Sequence, residues 1–397
     1  MKKPSMAEDR PVRVAVIGVG RMGAVHAREL ALGHIPRATL TALCDTDPEA
    51  LARFAVVASV PGFTDSRALY ASGLADAVLI ATPHYDHTPL AIEALAAGVH
   101  VLTEKPLAVH KADCLRMLAA YEARPKPSQI FAEMFNQRTD PRFLKLRGLI
   151  QSGELGTLRR MNWIITDWFR TEAYYRSAGW RATWRGEGGG ALLNQCPHQL
   201  DLWQWLFGMP VRVHAFCGFG RFHDIEVEDQ VTAYLEYENG ASGVFVTTTA
   251  EAPGTNRLEV VGDLGKVVVT NSGLEVTRNQ ASMMDFVKNS PDRCTRPASS
   301  TVNIELPPGE GQHNAILTNF VNAILDDAPL IAPATEGIAS VELSNAMIYS
   351  GLRKQTVELP LDPAEYAAAL ERLVQTSRYT KPQVLRSNPE DIAKVFG

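Results

Sequence analysis

Short apolar runs alternate with amphipathic stretches over the first 125 or so residues. The first run is Val12-Arg13-Val14-Ala15-Val16-Ile17, and others lie at 38–44, 77–81 and 99–103. Runs this short and this continuously apolar suit strands buried on both faces of a parallel sheet. Helices are predicted between them. Asp47-Pro48-Glu49 supplies an N-cap, a proline at the first helical position and an acid in the first turn. Thr88-Pro89 opens the next helix in the same way. Gly98, after Ala94-Leu95-Ala96-Ala97, can take the left-handed conformation that ends it. Alternating strand and helix of these lengths predict an α/β fold with a doubly wound parallel sheet.

The pattern changes after Tyr121-Glu122-Ala123-Arg124-Pro125-Lys126-Pro127, which reads as a joint. Strand patterns then follow one another at 157–166, 211–219, 227–237, 241–249, 256–261, 265–270, 272–278 and 300–305. Glu238-Asn239-Gly240 and Asp263-Leu264-Gly265 separate neighbouring strands as hairpin turns do. This half is predicted to be an α+β domain with an open, mostly antiparallel sheet. The stretch 280–300 reads as loop, helical patterns follow at 313–326 and 334–350, and a tail ends the chain. The predicted division is 1–128 and 129–397.

Composition narrows the function. The chain has 397 residues, of which 46% are hydrophobic and 21% charged, enough apolar material for two cores. Its 44 acids against 39 bases give a net charge of −5, which does not favour nucleic acid or an anionic membrane. No 18-residue apolar stretch predicts a membrane span, and Met1–Met6 has no apolar segment behind it to make a signal peptide. The five cysteines are scattered without CxxC spacing, so they are read as free thiols in a reducing, cytoplasmic setting. No histidine pair has metal-ligand spacing, and no metal is predicted.

Gly18-Val19-Gly20-Arg21-Met22-Gly23 follows the first strand and opens a helix. In that context the glycines allow a tight turn and close backbone approach, so that a pyrophosphate rests on the helix N-terminus. The second strand ends at Asp45, 22 residues beyond Gly23. A carboxylate there accepts both ribose hydroxyls and repels a 2′-phosphate, which selects NAD over NADP. Glu104-Lys105-Pro106 closes the fourth strand on the carboxyl edge of the sheet, where ligands bind in open α/β folds. An ammonium beside a nicotinamide can hold a substrate hydroxyl or carbonyl.

Three further stretches carry a resemblance: Ala81-Thr82-Pro83-His84-Tyr85-Asp86-His87, Ala94 to Val101, and Gly188-Gly189-Gly190 through Asn194-Gln195-Cys196-Pro197-His198 to Asp201. Together with Glu104-Lys105-Pro106 they resemble the Gfo/Idh/MocA oxidoreductase family over nearly the whole chain. The resemblance implies a Rossmann domain, a sheet-rich second domain that mediates homo-oligomers (dimer or tetramer), and hydride transfer to or from sugars, cyclitols and related polyols. It makes Lys105 catalytic. The family's second motif has an Asp and, four residues on, a His; here these positions are Asn194 and His198, and Cys196 stands where a Gly is usual. Asn cannot titrate, so His198 is expected as general base in oxidation and acid in reduction, with a reference pKa near ~6.5. Asn194 is expected to orient the substrate. The cofactor is expected to touch Gly18, Gly20, Arg21, Met22, Gly23, Asp45, Thr82, Pro83, Glu104 and Lys105. His87 is expected to pack and cap near it, and His84 to face cofactor or substrate.

All six tryptophans fall between Trp163 and Trp205. Trp203 and Trp205 sit in an apolar helix and read as core. Trp180 and Trp184 lie on the approach to the glycine turn and are read as lining a sugar pocket. Arg181 joins them as a substrate contact, although nearby acids such as Glu187 offer it a partner. The function expected is NAD-dependent oxidation or reduction of a secondary alcohol/ketone pair on inositol, a pyranose or a glycoside, in preference to a nucleotide sugar. A hydrolase or lyase that keeps NAD bound and oxidises the sugar transiently is the first alternative. A non-catalytic NAD sensor is the second.

Overall fold

The computed structural model describes residues 10–309, 312–381 and 383; Met1–Met6 lies outside them. The first sheet is built from β1 Val12–Ile17, β2 Ala38–Cys44, β3 Gly62–Phe63, β4 Ala77–Ile80, β5 His100–Thr103 and β6 Phe131–Glu133. Its strands are parallel in the order β3-β2-β1-β4-β5-β6. The apolar runs are continuous because both faces are covered. Val14, Val16, Leu43, Leu79 and Leu102 enter one core, and Ala15, Ile17, Ala42, Val78 and Ile80 enter the other. That is the period of two that a pleated strand imposes.

The sheet takes its last strand, β6, from beyond the joint, past residue 128. The chain also returns to it. Ile316, Leu317, Phe320 and Val321 of the helix Gln312–Asp326 pack into the first core, and Pro333 bridges Ala132. The helix Ala334–Arg353 is a shared wall: Val341 belongs to a core of the first sheet, while Leu343, Ala346, Met347 and Ile348 belong to that of the second. The two halves therefore interlock, which composition along the chain does not reveal.

The second sheet contains β7 Leu158–Ile165, β8 Arg212–Phe219, β9 Glu228–Glu236, β10 Ser242–Thr248, β11 Asn256–Gly262, β12 Gly265–Thr270, β13 Gly273–Asn279, β14 Ser299–Ile304 and β15 Val357–Glu358. Their order is β14-β13-β12-β11-β7-β10-β9-β8-β15, with β7 and β10 parallel and the other described pairings antiparallel. One face is covered: Met161, Trp163, Val231, Ala233, Leu235, Val213 and Ala215 are buried in a common core. The alternate residues Ile164, Tyr234 and Phe216 are exposed on the other face. The stretch read as loop at 280–300 contains a short helix, Met283–Asn289, whose cap Ser282 accepts from Asp285 N. The tail holds a further helix, Pro363–Thr376, capped by Asp362. Among the described residues no helix is long and apolar enough to cross a membrane.

Candidate active site

At the carboxyl end of β1 the backbone turns sharply through Gly18, whose φ is +88°. A Cβ on Gly18 would lie 2.7 Å from the Ala81 carbonyl oxygen, and one on Gly23 would lie 1.7 Å from that of Gly18. Both positions therefore need glycine. Gly20 is different: a Cβ there would meet no atom within 4 Å, so this side of the loop is open. The helix Arg21–Ala31 begins at Gly20 with no side-chain cap, which leaves its first N–H groups aimed outward for an anion. Asp45, at the end of β2, accepts from Val19 N at 2.7 Å and Asp47 N at 2.9 Å. The Thr82 hydroxyl oxygen is buried without a partner among the described residues, beside Gly18. A cleared loop, an uncapped helix start and an acid at the next strand end fit a dinucleotide. We expect Gly23→Ala to displace the helix start and weaken NAD binding by about a hundredfold, measured by calorimetric titration.

The same sheet edge carries Glu104 and Lys105. Lys105 follows β5, and its ammonium donates to the Asn194 carbonyl at 2.8 Å. Burial lowers its pKa; Glu104 and Glu187 oppose this, and Arg181 reinforces it. Glu104 is bonded to His26 at 2.7 Å. Although burial pushes Glu104 upward, His26 and Lys105 together hold it down at about 2. His198 sits at the start of the helix Pro197–Phe207, its ring edge-on to Phe135, and its Nδ1 has no partner among the described residues.

The pKa expected for His198 needs correction. Burial first, and the Lys105 charge second, depress it to about 3. His198 is thus a neutral imidazole throughout the working range, able to share a hydrogen bond but a poor reservoir for a proton. His87 has a backbone carbonyl at each ring nitrogen, Pro106 O at 2.8 Å and Thr82 O at 3.0 Å, and so ties together the two loops that flank the cofactor edge. His84 is buried, its Nδ1 lies 3.2 Å from the Glu187 carbonyl, and its ring packs 5.2 Å from Trp180.

Asn194 lies in a π-helical turn, Ala191–Gln195, and is drawn into a polar ring that the sequence does not announce. Its Nδ2 donates to Glu187, and its Oδ1 accepts from the Tyr174 hydroxyl at 3.2 Å. That hydroxyl in turn accepts from Arg181 at 2.9 Å and Gln195 at 2.9 Å. The Arg181 guanidinium stacks over Tyr174 and Trp180 and comes within 4.0 Å of Glu187. Trp184 departs from its expected place: it is buried in the second core against Phe219, because its backbone is fixed by Tyr85 and Glu226. Trp180 remains half-buried beside His84.

Another residue not singled out in the sequence holds the turn. Glu228 of β9 accepts from Gly190 N at 2.8 Å and Leu192 N at 3.0 Å, and burial pushes its pKa up to about 7. An acid raised in the folded state contributes stability that is full below its ordinary pKa, 4.5, and lost as pH rises through 7. Unfolding free energy should therefore contain a component of about 3 kcal/mol that falls away between these pH values, and the melting temperature should fall with it. Calorimetry across this range should show that component missing in Glu228→Gln.

Two family models match consecutive parts of the chain. Residues 12–131 match an oxidoreductase family with an NAD-binding Rossmann fold, and residues 143–268 match the GFO/IDH/MocA C-terminal domain. The chain belongs to the GFO/IDH/MocA family of oxidoreductases. Among its relatives, myo-inositol 2-dehydrogenase of Thermotoga maritima is 28% identical over 66% of this chain and 75% of that protein. Inositol 2-dehydrogenase of Acidothermus cellulolyticus is 31% identical over 54% of this chain and 59% of that protein. The structure of the WlbA dehydrogenase from Bordetella pertussis, in complex with NADH and UDP-GlcNAcA, superposes with a TM-score of 0.74 at 28% identity. That alignment covers 89% of this chain and all of that one, 100%. The GFO/IDH/MocA chain described here is accordingly an NAD-binding oxidoreductase with an α/β fold.

Proposed function

We propose that this oxidoreductase acts on a secondary alcohol, or the matching ketone, of a sugar or cyclitol ring, and that Lys105 and His198 manage the proton of the reacting oxygen. The observation that carries this reading is the bond from the Lys105 ammonium to the Asn194 carbonyl, four residues before His198, which joins the cofactor edge to the second domain. When bound, NAD supplies the hydride acceptor for oxidation, and its reduced form the donor for the reverse reaction. Gly18, Gly20, Arg21, Met22, Gly23, Asp45, Thr82 and Pro83 surround its loop, and Glu104 and His87 back the reactive end.

Lys105 holds the substrate oxygen. Because burial lowers the pKa of Lys105 and leaves His198 neutral, Lys105 is the group that keeps the proton, and His198 hydrogen-bonds the same oxygen. Trp180 and Tyr174 offer ring faces to a sugar, and Arg181 lies between them. The names of the inositol dehydrogenase relatives support a cyclitol ring as substrate, and the UDP-GlcNAcA of the Bordetella structure supports a sugar ring, there carried by a nucleotide. The exposed face carrying Ile164, Phe216 and Tyr234 is where we expect copies of the chain to pair.

The test is the near-ultraviolet absorbance of reduced NAD, followed with wild-type protein, NAD and a panel of free inositols, sugars and simple glycosides. Growth with one class supports the reading and names the substrate. Cleavage of a glycoside without net formation of reduced NAD would overturn it in favour of transient oxidation by a retained cofactor.

A further inference from the structure

Glu187 is a carboxylate that the mechanism above leaves unused. It is only 2% exposed, yet it is not paired in the ordinary sense. One oxygen accepts from Ala182 N at 2.6 Å; the other accepts from Asn194 Nδ2 and lies 4.0 Å from the Arg181 guanidinium. Its backbone carbonyl accepts from His84 at 3.2 Å. Three hydrogen bonds and one charge contact close a ring of side chains: Glu187 to Asn194, Asn194 to Tyr174, Tyr174 to Arg181, and Arg181 back to Glu187 across 4.0 Å. One member of the ring, Asn194, also gives its backbone carbonyl to Lys105.

An amide can be set either way round. Here the carboxylate accepts from one side, so the Asn194 nitrogen is fixed toward Glu187 and its oxygen toward Tyr174 and Gln195. A positive group, Arg181, would otherwise stand uncompensated in a site that already holds an ammonium. We propose that Glu187 is the positioning carboxylate of this site: it aligns Asn194 and, with Arg181, sets the charge balance that Lys105 experiences. This rests on the reading in which Lys105 manages the proton. The acid that the Asn194 position cannot supply then comes from seven residues upstream, on the loop that precedes the glycine turn.

The other groups acting on Lys105 are Glu104 on its own strand end, Arg181, the Cys196 thiol and His198 from the second domain, His84 from the helix His84–Ala96, and His313 from the helix Gln312–Asp326. Burial raises the pKa of Glu187, and Arg181, the Ala182 N–H, Asn194 and Lys381 oppose that rise and favour its charge. Glu104 and Glu187 favour the ammonium form, and Arg181 opposes it. Removing the Glu187 charge leaves Lys105 with less support and makes its free amine more abundant at neutral pH.

Competitive acetylation reads this without substrate. Full-length protein is treated with a limiting amount of acetic anhydride across a pH series, and labelling of Lys105 is quantified by peptide mass spectrometry against an exposed lysine. In Glu187→Gln, which keeps the size of the side chain, Lys105 labelling at neutral pH should rise about threefold or more, half a pKa unit. Glu187→Gln combined with Asn194→Asp returns a carboxylate to the ring and should bring labelling back toward wild type. Arg181→Gln removes the charge that opposes the ammonium form and should lower labelling, which keeps the test alive if Glu187→Gln fails to fold by circular dichroism. Labelling unchanged in folded Glu187→Gln, or in Arg181→Gln, would overturn the proposal. The absorbance panel above tests the redox reading separately, so loss of one does not disguise loss of the other.

Discussion

Lys105→Ala should lower kcat/KM by about a thousandfold on whichever ring alcohol the wild-type protein oxidises. The loss should lie in kcat, because an amine that takes the proton from the oxygen as the hydride departs matters most in the transition state. NAD affinity should stay within a few fold, since the loop at Gly18–Gly23 and Asp45 does not depend on the Lys105 side chain. Lys105→Arg should not rescue the rate. A guanidinium keeps its proton throughout the accessible range, whereas the buried lysine ammonium is pulled below its ordinary pKa. Oxidation by the wild type should speed up with rising pH as Lys105 loses its proton, and no limb near neutral pH should report His198, whose pKa is depressed to about 3. Steady-state rates over a pH series, beside calorimetric titration with NAD, check all of this. A Lys105→Ala enzyme within threefold of wild type would remove the lysine from the mechanism.

The features legible in the sequence were those that short-range physics dictates. A strand buried on both faces must be apolar throughout, and a tight phosphate loop must be glycine, so β1, Gly18 and Gly23 could be read directly. Alternation along β7 and β9 likewise set their inner and outer faces. What could not be read was set by distant partners. His198 looked like an ordinary histidine, and its depressed pKa arises from burial and from Lys105, which is 93 residues earlier. Trp184 reads as a pocket residue because it lies on the approach to the glycine turn, but its neighbour in space is Phe219. Glu187 entered only as an acid able to pair with an arginine; nothing local shows that it would seize the Asn194 amide. The return of the helix Gln312–Asp326 to the first core is of the same kind, since an amphipathic helix does not say which sheet it will cover.

Asp201→Ala should destabilise the protein by about 3–5 kcal/mol. Asp201 is 0% exposed and Arg138 1%, and they are joined by two bonds, 2.8 Å from Nε and 2.6 Å from Nη2. Arg138 spends its remaining donors on the Ile331 carbonyl at 3.0 Å and on Glu336, and its guanidinium lies against Phe135 and Trp205. Taking away the aspartate leaves that cation buried without its main counter-charge, and the cost is chiefly its desolvation. The pair itself need not be stabilising, because both ions gave up water to form it. Arg138→Met with Asp201→Leu should therefore recover most of the loss, an outcome that denaturant unfolding followed by circular dichroism can measure. A cost below about 1 kcal/mol for Asp201→Ala alone would show that water reaches the arginine. Activity separates the two purposes of the pair. Arg138 belongs to the turn that follows β6 of the first sheet, and Asp201 lies three residues beyond His198 on the helix Pro197–Phe207. The ion pair fixes the histidine's helix to the cofactor sheet through directional bonds, and two apolar side chains restore burial without restoring direction. The double variant should accordingly fold nearly as well as wild type yet turn over more slowly, with kcat reduced and NAD affinity retained.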